Sequence, residues 1–188
     1  MAPSQSDRYA TSRQVLHWIA AVVILAMFPL GYVMARTDSD SLRTTLYGVH
    51  MAIGVAIAVI SIVRIVLSRR NPVAPPPGLP RWNRILRTSV HRAALVVPLL
   101  LALTGVGIIA QNDLVPVLRS GGAQTVPATL EEDGARTGHR MLVRIYIVIL
   151  LLHVGGVLRH QFSKGDVLSR MGVTTFAGKG ASGRSTSR

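Results

Sequence analysis

Four long apolar runs, Val15 to Ala35, Tyr47 to Leu67, Ala93 to Ala110 and Met141 to Leu158, leave this chain few ways to fold. Crossing a hydrocarbon layer ~30 Å thick takes about 20 apolar residues; the first two runs reach that length and the last two need their flanks. Lipid offers the backbone no hydrogen-bond partner, so each run is expected to be a helix. Four such helices joined in sequence give an all-α, antiparallel four-helix bundle integral to a membrane. The first run is too long for a signal peptide, lacks a clear small-residue cleavage site and carries His17 and Trp18 at its start, so it is read as a lasting helix.

The net charge of +13 would ordinarily raise nucleic acid as a partner, but its distribution fits a membrane topology better. With the N-terminus in the cytoplasm, the inner segments gather fifteen of the 21 Lys and Arg residues, against only Asp7 and Asp166. The outer loops hold Arg36, Arg43, Arg119, Arg136 and Arg140 against Asp38, Asp40, Asp113, Glu131, Glu132 and Asp133. This positive-inside bias puts both termini in the cytoplasm, with lipid and not nucleic acid as the surrounding partner. The expected organisation is a cytoplasmic segment over residues 1–14, the bundle over 15–171 and a disordered Gly, Ser and Arg-rich tail over 172–188.

The connections differ in kind. Arg36 to Leu46 is short and makes the first two helices antiparallel neighbours. Asn71 to Pro80 contains five prolines and reads as a stiff extended connector. Arg81 to Arg92 reads as an interfacial amphipathic segment with Trp82 and Leu86 toward lipid. Gln111 to Gly138 is a long outer loop that reads equally as a lid or as a disordered connection.

Ionisable residues within or beside the spans carry the chemistry. His139 and His153 are fourteen residues apart on the fourth span, which brings them within about 40° of one direction and ~21 Å apart along the axis. The antiparallel topology puts His17 level with His153 toward the cytoplasm and His50 level with His139 toward the outside. Each pair could ligate one haem iron. With no cysteine in the chain, covalent haem attachment, thiolate metal sites and cysteine-held iron-sulfur clusters are excluded. Two axial imidazoles saturate a haem iron, so such a site passes electrons and does not activate a substrate at the metal. Arg64, fourteen residues after His50, is placed either to hold a haem propionate or to snorkel to headgroups. Arg144 has the same two readings, as does Arg140. His91 has no matching partner and reads as a hydrogen-bonding or propionate-contacting residue. His160 could hydrogen-bond a quinone or sit among lipid phosphates.

The segments Arg13 to Trp18 (RQVLHW), Val49 to Gly54 (VHMAIG) with Val63 and Arg64, His91 to Gly105, and the fourth-span series from Gly138 and His139 to Leu152, His153 and His160 together resemble the bacterial cytochrome b561 family. The likeness runs from about Ser12 to Met171. It implies a four-helix di-haem membrane cytochrome, with His17 and His153 on the cytoplasmic-side haem b and His50 and His139 on the periplasmic-side one. One class within that family is a superoxide oxidase, which passes electrons from periplasmic superoxide through haem to ubiquinone. Arg43, Arg136, Arg140 and Arg144 could attract such an anion locally, although the outer loops as a whole carry six acids against five bases. The expected function is therefore an inner-membrane di-haem b oxidoreductase working between a periplasmic donor and ubiquinone in a respiratory chain. Two alternatives stand beside it: a cytochrome b subunit docked to a dehydrogenase, and a haem-free transporter or proton-relay bundle.

Overall fold

The computed structural model describes residues 11–70, 80–120, 123–127, 130, 134–164, 168 and 171–172. Four long helices carry the architecture: α1 Thr11–Met34, α2 Asp40–Arg70, α3 Arg81–Gln111 and α5 Gly134–Lys164, with a short α4, Leu114–Arg119, before the last. Each long helix contains a stretch long and apolar enough to cross a membrane. Helix α1 packs on α2, α2 on α3 and α3 on α5. The chain thus runs up and down through an all-helical membrane bundle. Trp18, at the start of α1, donates its indole N–H to the carbonyl of Met171 beyond α5, at 3.1 Å. We call this end of the bundle the terminal end, and the opposite one, where α4 lies, the cap end.

Apolar side chains face outward. Leu151 and Leu103 are 68% and 67% exposed, a surface suited to lipid and not to water. The inward core is small and lies at mid-height, where Ala20, Ile24, Ile57, Val97 and Tyr146 meet. Small residues let α3 and α5 approach: a Cβ placed on Gly107 would stand 2.9 Å from that of Ala135, and one on Gly138 would touch Thr104. In lipid, where hydrophobicity does not drive helices together, such close backbone packing supplies the association energy.

Pro98 within α3 has no N–H, so the carbonyl of Ala94, four residues earlier, loses its helical donor. The hydroxyl of Tyr146, from α5, donates to that carbonyl at 3.2 Å. A neighbouring helix thereby satisfies the group that proline frees in the membrane interior. Tyr146→Phe is expected to cost about 1–2 kcal/mol of stability, read as a lower unfolding temperature in detergent with unchanged cofactor content.

Two expectations are corrected. Arg81 to Arg92 is not a separate interfacial segment but the first three turns of α3; no helix breaker divides it from the span, so the ladder of backbone hydrogen bonds continues. His91 therefore lies well inside α3 and not at its start. The long loop after α3 is in part a packed cap: Leu114, Val126 and Leu130 are buried against Tyr47, Ile108, Ile109, Val117 and Leu118. The connector over 71–79, the acidic residues Glu131 to Asp133 and the tail from 173 onward lie outside the described residues.

Candidate functional site

A seven-residue step returns a helical side chain to within about 20° of its starting direction, ~10.5 Å along the axis. All four long helices use that step. It runs through His17, Ile24 and Gly31 on α1, and His50, Ile57 and Arg64 on α2. On α3 it runs through His91, Pro98 and Gly105, and on α5 through His139, Tyr146 and His153. Because neighbouring helices are antiparallel, these positions stack into three layers. Ile24, Ile57, Pro98 and Tyr146 form the middle one, an apolar partition with a single hydroxyl, already committed to Ala94. The other two layers hold the polar chemistry.

In the cap-end layer the rings of His50 and His139 have centroids 6.3 Å apart. His139 Nδ1 lies 3.1 Å from the carbonyl of Leu101 and 3.0 Å from Thr104 Oγ1. A carbonyl only accepts, so Nδ1 carries the proton and Nε2 keeps its lone pair. This is the state in which a histidine ligates through Nε2, its second nitrogen anchored to backbone. His50 Nδ1 is buried without a hydrogen-bond partner among the described residues. Glycines make room for both rings: a Cβ on Gly31 would lie 3.5 Å from His50 Cε1, and one on Gly105 3.9 Å from His139 Cε1.

In the terminal-end layer the rings of His17 and His153 stand 6.1 Å apart, and His91 approaches His153 to 5.0 Å. His91 Nδ1 donates to the Arg87 carbonyl at 2.8 Å. Arg64 Nη2 donates to His17 Nδ1 at 3.1 Å. No ion pair to Arg64 is found among the described residues, and the described carboxylates, Asp38, Asp40 and Asp113, all lie at the cap end. A partly buried guanidinium in this position calls for an anion, and the described residues offer none at this end.

The remaining expected residues are placed differently. Arg43 does not stand at the surface to attract anions: it is 7% exposed and donates to Asp40 Oδ1 at 2.6 Å, the Val126 carbonyl at 3.2 Å and the Thr37 carbonyl at 2.9 Å. With Thr44 Oγ1, which accepts from the Val126 amide at 2.8 Å, it fastens the cap to α2. Arg136 is half-buried and donates to the Leu130 carbonyl, and Arg140 is exposed. Arg144 is also exposed, and five residues of helix turn it about 140° from His139, so it is not gathered with that pair. His160 continues the α5 series one step beyond His153, half-buried at the terminal end. Tyr146, Gly31 and Gly105 escaped the reading of charged and ionisable side chains; the shared seven-residue step is the signal that picks them out.

A membrane bundle that aims paired imidazoles inward from several helices has the layout of a b-type membrane cytochrome. The comparison with known families agrees: the model for prokaryotic cytochrome b561 matches residues 8–172. The chain therefore belongs to the prokaryotic cytochrome b561 family, and it is a bacterial membrane protein for which that family implies b-type haem and electron transfer. It is 28% identical over 175 residues to "Cytochrome b561 homolog 2" of Escherichia coli (strain K12), covering 88% of this chain and 91% of that one.

The residues present fit the implied haem. Metal–imidazole bonds of ~2.0 Å hold two rings on opposite sides of one iron with centres roughly 6 Å apart, which suits both the 6.1 Å and the 6.3 Å pairs. The 5.0 Å between His91 and His153 is too short for that arrangement. The lone pair of His139, and Arg64 with no ion-pair partner among the described residues, add independent support, since haem brings both an electron-accepting metal and carboxylates.

Proposed function

We propose that the chain is an inner-membrane di-haem b oxidoreductase that carries single electrons between a periplasmic donor and ubiquinone. The observation that carries this reading is the stacking of two imidazole pairs, His50 with His139 and His17 with His153, along one face of α5. His50 and His139 would hold one haem toward the periplasm, and His17 and His153 the other toward the cytoplasm, with both termini cytoplasmic, a topology the charge bias supports. Bis-histidine haem supplies reversible one-electron storage without an open metal position.

The chain's own residues do the rest. Leu101 and Thr104 orient the ring of His139, and Gly31 and Gly105 leave space around the cap-end rings. Arg64, with His91 in the same layer, is placed to bind propionate. The partition of Ile24, Ile57 and Tyr146 places apolar packing between the two sites. His160, at the terminal end, is the candidate to hydrogen-bond quinone.

The sharpest form of this reading takes superoxide as donor. Each superoxide gives up one electron and leaves as dioxygen, and two electrons with two protons convert quinone to quinol. With Arg43 committed to the cap, local attraction for that anion rests on Arg136 and Arg140. Rapid mixing with superoxide is expected to reduce the wild-type haem well ahead of a His50→Ala variant. Equal rates would remove superoxide as the donor at this end.

A further inference from the structure

The two polar layers are built from matching positions but with different residues. Around His17 and His153 the other two helices contribute Arg64 and His91; around His50 and His139 they contribute Gly31 and Gly105. One layer thus holds a guanidinium in contact with a candidate ligand, while the other holds no charge at the equivalent positions. The cations toward the cap end are differently placed, and Arg140 and Arg144 are exposed. Arg43 is neutralised by Asp40, and Arg136 lies one turn nearer the membrane surface, on the Leu130 carbonyl.

We propose that Arg64 makes the His17–His153 site the higher-potential one of the two, so that an electron entering at the His50–His139 end settles at the opposite end of the bundle. The inference rests on the di-haem reading above. Reduction of a haem site adds one negative charge, and a fixed cation a few ångströms away stabilises that state through Coulomb attraction that lipid and protein screen weakly. The cation need not stay on His17. A ligating His17 carries its proton on Nδ1, which then cannot accept from a guanidinium; a haem carboxylate is the natural acceptor, and the charge remains in the same layer. The cap-end site has the opposite bias, because the Leu101 carbonyl that accepts a hydrogen bond from His139 Nδ1 makes that ligand more electron-donating and favours the oxidised state. The transfer itself is a single electron leaving one site and arriving at the other, with no bond made and no proton moved. The electron comes from the one-electron donor at the cap end and departs to quinone at the terminal end.

Arg64 acts here as a positioning charge, so the decisive readout is potential and not turnover. The full chain would be purified in detergent and its haem counted. Fewer than two haems in the wild type would defeat the di-haem reading itself, before the question of Arg64 arises. With two present, a spectroelectrochemical titration is compared across wild type, Arg64→Met and Arg64→Lys, each also combined with His50→Ala to isolate the terminal-end haem. Arg64→Met is expected to lower one midpoint only, with a roughly tenfold smaller ratio of reduced to oxidised haem at fixed poise, equal to 59 mV for one electron. The same shift persists when His50 is absent, and Arg64→Lys keeps the wild-type gap. Should Arg64→Met shed the haem, Arg64→Gln, which keeps donors without charge, carries the same test. Unchanged midpoints, equal falls in both, or a fall confined to the His50-dependent haem would overturn the proposal.

Discussion

Replacing His153 with alanine is expected to remove one haem b from each chain and leave the other, and replacing His17 to remove the same one. Alanine at His50 or His139 is expected to remove the second. This pairing rests on ring centroids at 6.1 Å and 6.3 Å, between helices whose antiparallel order already sets these histidines level. The expected loss is nearly complete. Changes outside a metal's own ligands already cost roughly 10–100-fold in affinity, and loss of an axial ligand exceeds that. Haem content and difference spectra of the four single variants check the grouping. If His17→Ala and His153→Ala lost different haems, the proposed pairs would be wrong. Alanine at His91 gives the comparison: at 5.0 Å from His153, it shares the layer without the spacing of a second ligand, so its loss should weaken the terminal-end haem less than loss of His17 or His153.

The second large effect belongs to a residue without a side chain. Gly31 faces His50 closely enough that a Cβ there would lie 3.5 Å from the ring, an ordinary contact. Gly31→Ala should therefore keep both haems. Gly31→Leu adds three more carbons where the imidazole stands, and overpacking of this sort costs roughly 1–3 kcal/mol when neighbours can shift. His50 can shift only by leaving the position opposite His139. The expected outcome is a tenfold or greater loss of the cap-end haem with the terminal-end haem retained, read from haem per chain in membranes and after purification. Retention of both haems in Gly31→Leu would show that His50 does not depend on the space this glycine leaves.

Hydropathy made the bundle legible because lipid removes the alternatives: a run such as Tyr47 to Leu67 has no way to satisfy its backbone except as a helix. The depth of the histidines was legible for the same reason, since a fixed rise per residue converts fourteen positions into ~21 Å. What sequence spacing does not contain is the rotation of one helix against another. Arg64 could be assigned a depth but not its contact with His17, and His91 could not be seen to face His153. The cap was harder still. Arg43 looks like a surface cation in the sequence, yet the fold turns it inward, because the Thr37 and Val126 carbonyls and Asp40 converge on one buried point. Tyr146 went unremarked as one aromatic among many apolar residues; its meaning depends on Pro98, 48 positions away on another helix, having freed the carbonyl of Ala94.

The most direct test of the central claim is the ratio of haem b to polypeptide in the purified full-length protein, together with its oxidised and reduced absorption spectra. Two non-covalent haems per chain, both with the low-spin spectra of bis-histidine ligation, are the predicted result. A folded chain that binds one haem or none, or that shows a high-spin spectrum from a site with an open position, would contradict it.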